Sequence, residues 1–342
     1  LRYINLLCNK PTTELKTMPT LTYLQAIRQA IAEEIERDPR VFLIGEDIGQ
    51  YGGVFKLTNG FIDQFGPERI IDTPITEAGI IGAAAGAAMM GLRPIVEMQF
   101  IDFLSCGFNQ LTNLVAKFFY RTAQSLPLVV RGPSGGGVGA GPFHSQNPES
   151  YFIHTPGLKI VAPSTPADAK GLLKAAIRDE DPVLYLEFKS LYRQSKQDVP
   201  EADGIVPIGR AETRKEGTDI TLITYGPIVH KSLEASNRLE LSHDISVEVI
   251  DLRTLVPIDD DAIIASVRKT AKVMVVHEAT HTGGIAGEII ARINESTFEY
   301  LDGPIIRVTA EDTPVPYSPP LEEAFLPQVD DIVAAACWLA KY

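Results

Sequence analysis

Apolar positions along the chain fall into two alternating rhythms. Residues 22 to 37 set Ile27, Ile31 and Ile35 at i, i+4 and i+8 with Leu24 and Ala30 beside them, which predicts an amphipathic helix. Val41 to Ile44 is instead a contiguous apolar run, closed by Gly45-Glu46-Asp47, and reads as a short buried strand. Runs of the same kind at Ile70-Ile71, Pro94 to Gln99, Leu128 to Arg131, Leu158 to Ala162 and Val183 to Glu187 predict further strands, with helices at 77 to 90, 104 to 118 and 166 to 178 between them. Strands that are apolar throughout, separated by helices, predict an α/β fold with a mostly parallel sheet covered on both faces.

The rhythm weakens over a stretch carrying Pro200 and Gly209, with Glu201 and Asp203 between, and then resumes. Strands are predicted near 219 to 225, 246 to 252, 272 to 277 and 304 to 309, and helices near 228 to 240, 259 to 268, 282 to 294 and 329 to 340. A chain of 342 residues exceeds what one hydrophobic core normally holds. The expected organisation is an N-terminal extension at 1–18, a candidate for disorder, then a domain at 19–195, a linker at 196–215 and a second α/β domain at 216–342.

Charge narrows the partners. With 31 Lys and Arg against 44 Asp and Glu, the formal charge of −13 repels a phosphate backbone, so nucleic acid is not expected. Cys8, Cys106 and Cys337 lie far apart, without the spacing of a zinc site or a disulfide framework, and point to a reducing compartment. The apolar stretch Ile80 to Met90 is about half a membrane span and rich in Gly and Ala, so a buried helix is expected and no membrane association.

Three segments carry candidate chemistry, and each follows a predicted strand. The first is Ile71-Asp72-Thr73-Pro74-Ile75-Thr76-Glu77, where a carboxylate opens a helix whose small residues, Gly79, Gly82 and Gly86, let another backbone approach. Locally this also fits Thr76 as a cap with Glu77 favoured at the positive end of the helix. The second is Glu97 to Phe103, whose aromatic residues suit stacking on a flat ring, although Phe100 and Phe103 equally fit a core. The third is Arg131-Gly132-Pro133-Ser134-Gly135-Gly136-Gly137-Val138-Gly139 leading to His144-Ser145-Gln146. That glycine run is neither G-x-G-x-x-G opening a helix nor a Walker loop, so it reads as a loop rather than a phosphate cradle. In an open parallel sheet, ligands bind beyond the carboxyl ends of the strands, where these three segments can converge.

Taken in order, Gly45-Glu46-Asp47, Asp72 to Glu77, Gly91-Leu92-Arg93-Pro94, His144-Ser145-Gln146, Pro156-Gly157-Leu158-Lys159 and Asp168 to Leu173, continuing to Asp179, resemble one family. It is the β subunit of the thiamine-diphosphate-dependent decarboxylase component of 2-oxo acid dehydrogenase complexes, and the match runs over roughly residues 19 to 342. The resemblance implies a transketolase-like pyrimidine-binding domain followed by a transketolase C-terminal domain. It also implies an α2β2 heterotetramer that decarboxylates a 2-oxo acid and passes the acyl group to the lipoyl arm of an acyltransferase core. The chain has no Gly-Asp-Gly stretch followed by Asn to bind Mg2+ and diphosphate, so an α subunit is expected to supply that part.

Position by position, the resemblance makes Glu77 the carboxylate that hydrogen-bonds the cofactor pyrimidine. That contact favours the imino tautomer whose nitrogen takes the thiazolium proton. Phe103 matches the aromatic packed on the ring, and Ile75 the residue whose backbone binds the aminopyrimidine. His144 matches a histidine near the reactive end that orients substrate or lipoyl and stabilises developing charge. Glu46 matches an acid on a polar path between paired sites. Leu128, Ala176, Ile177, Asp179 and Asp181 match a potassium site of carbonyl and carboxylate oxygens, although 179 to 181 alone read as a solvated acidic turn. Asp330 and Asp331 are candidates for docking a basic module of the core. His144 to Glu149 and Glu187 to Arg193 lean toward branched-chain substrates. Pyruvate and acetoin dehydrogenases, a split transketolase and a non-catalytic scaffold of the same fold are the alternatives. The compartment implied is the cytoplasm for a bacterial or archaeal source and the mitochondrial matrix for a eukaryotic one.

Overall fold

The computed structural model describes residues 19–199 and 204–342. The expected N-terminal extension, with Cys8, and residues 200–203 of the expected linker lie outside the described residues. The strands in chain order are β1 (Thr20–Thr22), β2 (Val41–Gly45), β3 (Ile70–Asp72), β4 (Arg93–Glu97), β5 (Val129–Ser134), β6 (Lys159–Val161), β7 (Val183–Phe188), β8 (Lys196–Asp198), β9 (Glu212–Lys215), β10 (Ile220–Thr224), β11 (Val247–Asp251), β12 (Thr254–Val256), β13 (Val273–Thr280) and β14 (Ile306–Ala310).

Seven strands form the larger sheet in the order β12-β6-β7-β5-β4-β2-β3. The six from the first half of the chain run parallel, and β2, β4, β5 and β7 are buried at every position, as their largely apolar runs require. A five-stranded sheet, β14-β13-β10-β11-β9, forms the second half, with only β9 antiparallel. The pair β1-β8 ties Thr20 to Asp198.

Local signals set the helices. Thr22 and Gln25 form a reciprocal capping box that starts helix Tyr23–Arg37, and Thr165 with Pro166 starts helix Pro166–Arg178. These two helices pack together, and the buried Glu34 accepts from Arg178 across their contact. The expected helix at 104 to 118 is instead three pieces: a 3-10 turn at Ile101–Gly107, a π turn at Gln110–Val115 and a short α-helix at Phe118–Thr122. The first two pieces pack against helix Glu77–Met89, and a Cβ on Gly107 would lie 2.4 Å from Ile81 Cδ1, so a residue without a side chain suits this close approach.

The two halves share structure. Strand β12 belongs to the second half by sequence yet pairs antiparallel with β6, completing the larger sheet. Beside it, Asp168 accepts from Arg253 and Arg214, and Arg214 also bonds Asp251 at 2.8 Å, a buried ionic cluster joining the halves.

Candidate active site

Because β2, β3, β4, β5 and β7 are parallel, the segments that follow them emerge on one edge of the sheet. Glu46 follows β2, Glu77 follows β3, Phe100 to Phe103 follow β4, the glycine run to His144 follows β5, and Lys189 follows β7. The topology thus brings together the three segments singled out in the sequence.

Glu77 is the first residue of helix Glu77–Met89 and is half-buried. Thr76 precedes it but makes no side-chain capping bond, so the local reading of Thr76 as a cap is not what the structure holds. The side chain of Ile75 is 80% exposed, an unusual position for isoleucine that leaves its surface for another body to cover. Glu46 is buried, and its Oε1 has no hydrogen-bond partner among the described residues. Burial, and then the nearby charge of Glu77, push the Glu46 carboxyl above its usual range, against a backbone contact from Thr76.

The His144 imidazole stands edge-on to two rings, 4.6 Å from Phe100 and 5.4 Å from Phe103 between centroids. Phe103 and Phe100 are themselves perpendicular at 6.2 Å. Asp102, between the two phenylalanines in sequence, is buried and accepts the Gln146 N–H at 2.9 Å, fixing the strand-side base of the His144 loop. Burial raises the Asp102 carboxyl, and the Lys189 ammonium opposes that rise. Lys189 is itself buried with no hydrogen-bond partner for Nζ among the described residues; burial lowers it to about 8, while Asp102, Glu278 and Glu322 hold it up.

Other prominent charges in these segments serve the fold. Arg131, 1% exposed, donates through Nη2 to Glu187 Oε2 at 2.8 Å, through Nε to Glu187 Oε1 and through Nη1 to Glu97. Tyr192 donates to the same Glu187 at 2.6 Å. Asp72 accepts the Gly49 N–H at 2.6 Å and holds the turn after Glu46.

The residues matched to a potassium site lie elsewhere, near the amino ends of β5 and β7, at the opposite end of those strands from the segments above. Arg93 donates to the carbonyls of Ile177 (3.1 Å) and Asp179 (2.9 Å), and Lys159 bonds the carboxylates of Asp179 (2.8 Å) and Asp181 (3.0 Å). Leu128 O accepts from Val183 and Ala176 O from Asp179. Each of these carbonyl oxygens keeps a second lone pair, so the donor chemistry fits a monovalent cation while two fixed cations already share the set. Among the described residues no group of three or more His, Cys, Asp or Glu side chains is arranged to hold a metal ion, and no helix is long and apolar enough to cross a membrane.

Sequence reasoning missed two contributors, Glu278 and Glu322. Both reach from the second half into the glycine run: Gly136 N–H donates to Glu278, and Gly137 and Gly139 donate to Glu322 at 2.9 and 2.8 Å. With 142 to 185 residues between partners, no local pattern announces them.

Comparison with known proteins agrees with this architecture. Residues 19–195 match the family described as transketolase, pyrimidine binding domain, and residues 209–332 match transketolase, C-terminal domain. The 2-oxoisovalerate dehydrogenase subunit beta of Bacillus subtilis (strain 168) is 51% identical over 328 residues, covering 95% of this chain and all of that protein. The pyruvate dehydrogenase E1 component subunit beta of the same organism is 43% identical, covering 93% of this chain and 98% of that protein. A mitochondrial pyruvate dehydrogenase E1 component subunit beta-2 of Oryza sativa subsp. japonica is 44% identical, covering 92% and 85% respectively. A solved split-gene transketolase, an inactive beta4 tetramer, shares the fold with a TM-score of 0.76 at 23% identity, covering 94% of this chain and 98% of that one. Two transketolase-type domains in this order, and relatives matched nearly end to end, make this chain a member of the family of 2-oxo acid dehydrogenase β subunits.

Proposed function

We propose that this chain, assembled with an α-type subunit as α2β2, decarboxylates a branched-chain 2-oxo acid with thiamine diphosphate and passes the acyl group to a lipoyl arm of an acyltransferase core. The observation that carries the reading is a pair of clusters in the segments beyond the parallel strand ends, Glu46 beside Glu77 and His144 against Phe100 and Phe103. An unpartnered buried carboxyl oxygen on Glu46 and an exposed Ile75 fit a polar, flat group seated beside Glu77.

Thiamine diphosphate, when bound, would supply a carbon nucleophile and an electron sink for the decarboxylation. Glu77 would hold a proton toward the pyrimidine ring of that cofactor, Phe103 would pack on the ring, and the Ile75 backbone would bind its exocyclic amine. His144 orients the incoming carbonyl or lipoyl group and donates to oxygen as negative charge develops there. Glu46 extends the polar path behind Glu77. The α subunit contributes Mg2+ and the diphosphate contacts, and K+ at Leu128, Ala176, Ile177, Asp179 and Asp181 braces the far edge of the sheet. Asp330, largely exposed, and Asp331 offer the acidic face for the acyltransferase core. The greater identity to the 2-oxoisovalerate relative supports the branched-chain substrate; the pyruvate relatives keep pyruvate as the second reading.

The test is a reconstituted α and β pair supplied with 2-oxoisovalerate and pyruvate in parallel. Glu77→Ala should lose about 10²- to 10⁴-fold in decarboxylation; unchanged turnover removes Glu77 from the mechanism. A kcat/KM that favours pyruvate selects the second reading. Failure of the pair to bind thiamine diphosphate with Mg2+ in a calorimetric titration selects a non-catalytic scaffold.

A further inference from the structure

The glycine run after β5 has alternate residues in the left-handed region: Gly135, Gly137, Gly139 and Gly141 have φ of +79°, +80°, +69° and +69°. Left-handed residues alternating with ordinary ones turn successive N–H groups to one side and form a concavity that binds anions. In this chain a side chain occupies it. Glu322, 4% exposed, accepts from Gly137 through Oε1 and from Gly139 through Oε2, and Glu278 accepts from the preceding Gly136. Amides bound to a carboxylate make stronger hydrogen bonds than neutral pairs. The same segment grips the loop a second time, because Tyr317 lies so close to Gly141 that a Cβ there would come within 2.2 Å of the ring. Tyr317 and its neighbour Ser318 lead straight into helix Pro319–Phe325, which opens on two prolines and bears Glu322, so the grip comes from a stiff piece of chain.

His144 lies between two anchors. Three residues before it, Gly141 is pressed by Tyr317 and accepts the His144 N–H at 3.3 Å. Two residues after it, Gln146 gives its N–H to Asp102 and its carbonyl to Gly135 N–H at 3.0 Å. The Lys189 ammonium faces Asp102, Glu278 and Glu322 together and offsets part of their charge.

We infer that Glu322 is a positioning residue for His144: the C-terminal domain fills the anion-binding concavity of the glycine loop with its own carboxylate and thereby sets where the imidazole stands against Phe100 and Phe103. This rests on the proposed role of His144. Displacement by about an ångström from a catalytic geometry can cost about a hundredfold.

The experiment uses the α/β holoenzyme with Glu322→Gln, Glu322→Ala, His144→Ala and the Glu322→Ala/His144→Ala double variant. Thiamine diphosphate affinity, decarboxylation with an artificial electron acceptor, acyl transfer to a lipoyl domain, and amide exchange of residues 135 to 146 are read separately. Glu322→Ala should slow the step that His144→Ala slows by about 10- to 100-fold, with Glu322→Gln between it and wild type. Cofactor affinity should hold, amide protection at 137 and 139 should fall, and the double variant should be no slower than His144→Ala. Slow His144→Ala with wild-type rates for Glu322→Ala, or losses that multiply in the double variant, would overturn the inference. His144→Ala at wild-type rates would instead overturn the reading of the site itself.

Discussion

Glu46 and Glu77 stand near enough across the strand ends for the charge of Glu77 to raise the Glu46 carboxyl, and Glu46 holds one buried oxygen without a partner. An unpaired acid beside another acid costs stability, a pattern that belongs to working sites more than to scaffolding. Because the Glu46 carboxyl is raised in the folded chain, its ionisation costs stability as pH rises; Glu46→Gln should therefore remove that loss, so that its melting temperature gains on wild type with rising pH, and should lower holoenzyme turnover. A variant both less stable and fully active would count against any role beside Glu77.

The Arg131 triad makes the opposite prediction. Its guanidinium is buried between Glu97 and Glu187, so deleting one partner strands charge inside the sheet. Arg131→Met should cost about 3–5 kcal/mol in denaturant unfolding, as expected for breaking a buried pair from one side. Double replacement with Glu187→Gln should recover part of that loss, which a double-mutant cycle measures.

Helix Glu77–Met89 exposes Gly79, Ala83 and Gly86 along one side, and a Cβ on Gly86 meets nothing within 4 Å in the chain itself. Gly86→Leu should therefore leave the isolated chain folded, with unchanged circular dichroism. It should block assembly with the α subunit or with a second β chain, seen as a smaller species in sedimentation.

Glu149 and Tyr225 link the two halves through a hydrogen bond in which the tyrosine donates. Burial lifts the Glu149 carboxyl to about 7. The folded state thus keeps a proton that the unfolded chain releases near pH 4.5, and stability falls as pH rises through that window. The loss is on the order of 3 kcal/mol between pH 4.5 and 7 and levels off above it. Glu149→Gln should flatten this part of the profile of melting temperature against pH; an unchanged slope would assign it to another group.

Much of this was legible in the chain. The strands and most helices follow from apolar runs and caps, because a two-sided parallel sheet writes itself as contiguous Val, Ile and Leu. Glu77, Phe103 and His144 were visible because each follows a strand, and strand ends gather at one edge. What stayed hidden depends on contacts between distant residues. Gly107 packs closely on Ile81, β12 joins a sheet begun about two hundred residues earlier, and the glycine run binds carboxylates from Glu278 and Glu322. Glu97 and Arg131 show the converse: conspicuous charges in promising segments that neutralise each other inside the sheet.

Strand β12 gives the chain a constraint on how it can be divided. Severing the polypeptide between residues 199 and 204 would leave β6 with a bare rim of amides and carbonyls, the kind of edge that recruits strands from other molecules. Expressed alone, the first half should clump unless a peptide spanning Thr254 to Val256 is supplied, so any gene fission in this lineage would have to carry that strand with its sheet.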